Sequence, residues 1–73
     1  MATNEQPTSR EIEVLRLIAR GCSHAEVGEQ LGISPYTVGT HVKNVYRKLD
    51  VHRATAAIAR AQELDLLDAT GDQ

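Results

Sequence analysis

Between residues 31 and 35 the chain reads Leu-Gly-Ile-Ser-Pro, and no other five residues constrain the fold as much. Gly32 can enter the left-handed conformation that closes a helix without steric cost. Ser34 can cap a following helix through its hydroxyl, and Pro35 suits the first helical position, where a missing N–H costs nothing. One helix therefore stops and another starts within three residues. So short a connection sets two helices at a steep angle, the geometry of a helix-turn-helix. Such packing needs a small residue where backbones approach, and Gly28 stands in the middle of the helix before the turn. Glycine costs about 1 kcal/mol against alanine in a helix interior, and close approach is a reason to accept it.

Two further starts carry the same kind of signal. Thr8-Ser9-Arg10-Glu11 and Ser23-His24-Ala25-Glu26 both have the hydroxyl-x-x-carboxylate pattern of a capping box. Gly21 supplies a stop between them. Helices are therefore expected at Ser9–Arg20, His24–Leu31 and Pro35–Leu49. A fourth, Arg53–Leu64, follows from alanine-rich composition, although its start is poorly marked. Apolar spacing places Ile12, Leu15, Ile18 and Ala19 on one face of the first helix and Val27 and Leu31 on the second. Val38, Val42, Val45 and Leu49 form the stripe of the third, and Ala57, Ile58, Ala61 and Leu64 that of the fourth. The expected architecture is an all-α four-helix bundle over residues 8–67, with flexible ends at 1–7 and 68–73.

The chain has 73 residues, two Tyr and no Phe or Trp, so its core must be aliphatic and thin. A single cysteine, Cys22, excludes an internal disulfide framework. No apolar run suggests a signal peptide or a membrane span, so a soluble cytoplasmic protein is the default expectation. The histidines, His24, His41 and His52, sit on three separate elements, and no metal site or cofactor is expected. No Gly-rich phosphate loop and no plausible Ser-His-Asp set is present, so the chain is not expected to be an enzyme.

The net charge of −2 conceals an uneven distribution. Residues 1–33 carry Arg10, Arg16 and Arg20 against Glu5, Glu11, Glu13, Glu26 and Glu29, a net of −2. Residues 34–60 carry Lys43, Arg47, Lys48, Arg53 and Arg60 against Asp50 alone, a net of +4. Residues 61–73 carry Glu63, Asp65, Asp68 and Asp72, a net of −4. The positive stretch includes the third helix, and nucleic-acid binding responds to local potential rather than to the total.

Opposite the valine stripe of that helix lie Tyr36, Thr40, Lys43 and Arg47, with Asn44 alongside. Gly39 occupies one flank, and Thr37, His41 and Lys48 the other. Lysine suits guanine O6 and N7, asparagine suits adenine, and a threonine methyl can touch thymine. Flanking groups suit phosphates, as do the helix N-termini at Ser23 and Ser34. Almost every surface helix has a solvated polar face, but Asn, Thr and Gly are weak choices for an idle one.

Thr8-Ser9-Arg10-Glu11, Glu13-Val14-Leu15-Arg16-Leu17-Ile18-Ala19, Gly21 and Glu26-Val27-Gly28-Glu29 resemble the LuxR-type (GerE-like) DNA-binding domain. So do Leu31-Gly32-Ile33-Ser34, Thr37-Val38, Val51 and the run Thr40-His41-Val42-Lys43-Asn44-Val45-Tyr46-Arg47-Lys48-Leu49. The resemblance spans about residues 7–67. It implies a four-helix member of the winged-helix-like superfamily without a wing, whose third helix enters the major groove of double-stranded DNA. It also implies a bacterial transcription regulator that acts as a dimer through the fourth helix, with RNA polymerase a candidate partner. By position, Gly39, Thr40, Lys43 and Asn44 fall where the family touches bases. Ser23, Ser34, Tyr36, Thr37, His41, Arg47 and Lys48 are the expected backbone contacts. Ala54, Ala57, Ile58 and Ala61 are the candidate dimer patch, although the same residues can simply face the core. Gly39 departs from the family's usual Lys or Arg. Arg53-Ala54 replaces a Ser-Arg pair, and Asp50 and Asp65 stand where glycine is common. An alternative is an interaction module that kept the fold and lost DNA binding.

Overall fold

The structure is a computed structural model that describes residues 6–67. The ends expected to be flexible lie outside the described residues, apart from Gln6 and Pro7. Four helices follow in order: α1 (Ser9–Ala19), α2 (His24–Leu31), α3 (Pro35–Leu49) and α4 (Ala54–Glu63), with no strand among the described residues. The fold is all-α, as the caps and apolar periods imply.

Each sharply marked start is made by the predicted chemistry. The Thr8 and Ser23 hydroxyls accept the Glu11 and Glu26 N–H groups, each at 3.1 Å, and each glutamate reaches back to the cap N–H. Ser34 Oγ accepts the Thr37 N–H at 3.1 Å, with Pro35 at the first helical position. Gly32 closes α2 at φ 72°. The unmarked start behaves differently: α4 begins at Ala54 rather than Arg53, and Arg53 makes no side-chain cap. Arg20 and Leu64 are likewise caps rather than helical residues.

Gly28 is buried, and the reason lies in the turn. A Cβ at this position would stand 2.5 Å from the Ile33 carbonyl oxygen and 3.5 Å from the Pro35 nitrogen. The Gly28 carbonyl itself accepts from the Gly32 and Ile33 N–H groups, the latter at 3.0 Å. The backbone of the turn thus folds back against α2 at the one residue without a side chain.

The core has two lobes. Val14, Leu17, Val27 and Val38 join α1, α2 and α3, flanked by Ile18, Cys22, Leu31, Ile33 and Val42. Leu15, Val45, Leu49, Ala57, Ala61 and Leu67 join α1, α3 and α4, flanked by Ile12, Tyr46, Val51, Ile58 and Leu66. α1 contributes to both, which corrects its expected stripe. Val14 and Leu17 are buried while Ala19 is exposed, because a helix between two lobes buries more than one face. Leu64, expected in the core, is 49% exposed, and Leu67 takes a buried place beyond the helix end.

Candidate nucleic-acid interface

α3 crosses both lobes and is held along its inner side by Val38, Val45 and Leu49. The opposite side faces solvent. Tyr36 is 84% exposed, and Thr40, Lys43 and Arg47 are also exposed. Thr37, Gly39, His41 and Asn44 are half-buried along the flanks. Tyr36, Gly39, Thr40 and Lys43 border a shallow hollow of about 250 Å³. Three of the four expected base-reading residues therefore line one concavity, with Asn44 beside it.

Hydrogen bonds define what this face can offer. Thr40 donates its hydroxyl hydrogen to the Tyr36 carbonyl at 3.2 Å, so toward a ligand it presents a methyl and an acceptor. Ser34 accepts the Thr37 N–H and donates to Thr37 Oγ1 at 3.0 Å, so both hydroxyls belong to the cap. The first turn of α3 carries no acid, which leaves the positive end of its dipole unopposed by a side chain. α2 differs, because Glu26 sets a carboxylate on its N-terminus, 2.8 Å from the Ser23 nitrogen. Of the two helix ends expected to meet phosphates, that of α3 is the one with no acid in its first turn.

A second depression, of about 360 Å³, lies where α3 meets the following turn, lined by Lys43, Tyr46, Arg47, Asp50, Val51 and His52. Burial there pushes the Tyr46 phenol above its usual range.

Two expected roles change. Lys48 does not point to solvent: its Nζ lies 3.0 Å and 3.2 Å from the two Glu11 carboxylate oxygens, with side chains 11% and 5% exposed. In this rotamer it ties α3 to α1 and is not presented to a phosphate. Ala57 and Ala61 have no exposed surface and belong to the core, so of the candidate dimer patch only Ala54 and Ile58 keep partial exposure. Sequence reasoning missed the second task of Glu11, whose partner lies 37 residues away. His24 is exposed at the start of α2. A Cβ added to Gly39 would meet a single neighbour within 4 Å, the His24 Nδ1 at 3.9 Å.

The profile described as GerE, bacterial regulatory proteins of the luxR family, matches residues 6–61. The chain belongs to this family. It is 43% identical over 65 residues to the transcriptional regulatory protein LiaR of Bacillus subtilis, covering 89% of this chain and 31% of LiaR. It is 49% identical over 57 residues to the transcriptional activator protein CarR of Pectobacterium carotovorum, covering 78% of this chain and 23% of CarR. The chain thus spans less than a third of these relatives' length, and both are regulators of transcription. Among solved structures, the response regulator ChrA of a heme-sensing two-component system superposes with a TM-score of 0.83 at 36% identity. That match covers 90% of this chain and 33% of ChrA. The transcription factor GerE superposes with a TM-score of 0.79 at 37% identity, covering 82% of this chain and 90% of GerE.

Proposed function

We propose that this chain is a sequence-specific double-stranded DNA-binding domain serving bacterial transcription regulation in the cytoplasm, with α3 lying in the major groove. One observation carries the proposal. The side of α3 opposite its buried valines is uncovered, so Thr40 and Lys43 are free to approach base edges. Had either been packed beneath another helix, the assignment would have failed. Lys43 leads base reading because a lysine can donate to guanine O6 and N7. Asn44 and the Thr40 methyl supply further contacts. Arg47, Tyr36, His41 and the N-terminal turn of α3 hold phosphates, which fix register without reading sequence.

A lone domain makes few contacts, and a second copy doubles them. Dimerisation through α4 accordingly belongs to the proposal, with Ala54 and Ile58 at its edge rather than Ala57 and Ala61. The test is a selection of bound duplexes from a random library, followed by titration of the preferred site at several salt concentrations. Binding should weaken linearly on a log-log plot, and the selected site should show half-site symmetry. Replacing Lys43 with alanine should cost about 1–3 kcal/mol at the preferred site and relax preference at one base pair. An equal loss on every duplex would make Lys43 a phosphate contact. Absence of binding to every duplex would favour an interaction module that kept the fold alone.

A further inference from the structure

We infer that His24, the first residue of α2, is a specificity-determining residue of the DNA-reading surface, supplying from a neighbouring helix the hydrogen-bonding side chain that α3 lacks at Gly39. The inference rests on the DNA-binding function proposed above.

Gly39 leaves a gap on a face otherwise furnished with side chains, between Tyr36 and Lys43 and beside Thr40. The position is spacious: apart from its chain neighbours and the backbone of α3 itself, almost nothing comes within 4 Å of where its Cβ would stand. One group does, the imidazole of His24, with Nδ1 at 3.9 Å. A ring nitrogen is a hydrogen-bonding atom, and this one stands 3.9 Å from where a first side-chain carbon on α3 would lie. From there it can reach toward whatever lies over the hollow.

Its placement is firm at the backbone and open at the ring. The Ser23–Glu26 capping box fixes the start of α2 through bonds of 2.8 and 3.1 Å. Val27 and Gly28, fully packed one turn on, lock α2 against α3. The His24 side chain itself is exposed. An imidazole carries a donor and an acceptor when neutral and two donors when charged, so it can address a purine edge in either state. A side chain at position 39 would contend for the same space, which makes positions 24 and 39 one recognition unit.

The experiment uses the 73-residue chain. The wild type's preferred duplex is first found by random-library selection. Wild type, His24→Ala, His24→Gln, Gly39→Gln and the His24→Ala/Gly39→Gln double variant are then titrated against that duplex and its single-base variants. His24→Ala should bind the preferred duplex about tenfold more weakly, the loss of a good base contact, and should lose discrimination at one base pair. His24→Gln should retain part of that discrimination. The double variant should depart from the product of the single effects, as side chains sharing one space do. An exposed side chain leaves the thermal midpoint nearly unchanged, and a melt of each variant checks this. Equal affinity and equal preference in His24→Ala would overturn the inference while the DNA-binding function stood. A uniform loss over all duplexes would overturn it too, leaving His24 a phosphate contact. A wild type that bound no duplex would overturn the function and the inference together.

Discussion

The two glycines inside helices offer a pair of identical substitutions with opposite expected signs. Gly28→Ala and Gly39→Ala each add one methyl group at a helical position, and each gains about 1 kcal/mol of helix propensity. At position 39 the methyl meets only the His24 ring at 3.9 Å, an ordinary contact, so the gain is kept. At position 28 it meets the Ile33 carbonyl oxygen at 2.5 Å, a distance no carbon and oxygen tolerate. The Ile33 carbonyl is a backbone group in the turn, and it cannot rotate away as a side chain would. Its neighbours are pinned by the Ile33 N–H bond to Gly28 and by the Ser34 cap of α3. Overpacking costs about 1–3 kcal/mol when side chains can adjust, and a backbone clash belongs at or above the top of that range. The net loss at position 28 is therefore about 2 kcal/mol or more. In a domain this small, 1 kcal/mol moves the melting temperature by roughly 4–8 °C. Gly28→Ala should melt roughly 8–16 °C below the wild type, and Gly39→Ala roughly 4–8 °C above it. Circular dichroism at 222 nm during a thermal ramp reads both. A Gly28→Ala variant as stable as the wild type would refute the close approach as the reason for that glycine.

Lys48→Met should cost about 3 kcal/mol or more in urea unfolding, because it strands the buried Glu11 carboxylate, and should leave the salt slope of DNA binding unchanged. Arg47→Ala should instead lower that slope by about 0.9, the value for one phosphate contact, and a reversed pattern would return Lys48 to the interface. Asp50 and Asp65 hold left-handed conformations at φ 59° and 60°, so Asp50→Gly and Asp65→Gly should each raise stability by roughly 0.5–1 kcal/mol. Asp50→Asn isolates the part due to an acid at a helix C-terminus, and a loss of stability in both glycine variants would exclude backbone strain there. The raised Tyr46 phenol stays protonated in the fold after the unfolded chain has begun to ionise. Its stabilisation is thus complete below about pH 10 and fades as pH climbs through the folded value, and Tyr46→Phe should flatten that alkaline decline in a denaturant series.

The parts of the fold legible in the sequence are those written in local chemistry. α2 and α3 begin and end at the expected residues because serine caps, Pro35 and Gly32 act within a few positions of themselves. α4 starts one residue late because Arg53 offers no capping oxygen. Tertiary partners were not legible. Lys48 reads as a flank cation on a helical wheel, and nothing near it in the chain announces Glu11. The alanines of α4 could face a second copy or the core, and only packing shows Ala57 and Ala61 inside. The exposed face of α3 was legible, since burial of Val38 and Val45 dictates where Tyr36, Thr40 and Lys43 must point. The approach of His24 to Gly39 was not, because it comes through the angle between two helices, which no spacing encodes.

Glu11 explains how so thin a core can hold α3 steady. Its Oε1 accepts the Thr8 N–H at 3.0 Å and Lys48 Nζ at 3.0 Å, so one carboxylate both opens α1 and anchors the last turn of α3. The buried stripe of Val38, Val45 and Leu49 interdigitates with both lobes of the core and so holds α3 in place along most of its length. A charged bond at one end and the Gly28–Ile33 packing at the other fix the roll of α3 about its axis. That roll determines which residues lie uppermost. The groups holding α3 in place and the groups it displays are consequently distinct, apart from Thr37, whose N–H and hydroxyl serve the Ser34 cap on the flank of the open face. Exposed residues of α3 such as Lys43 can therefore vary with little effect on folding, whereas Glu11, Gly28 and Lys48 cannot.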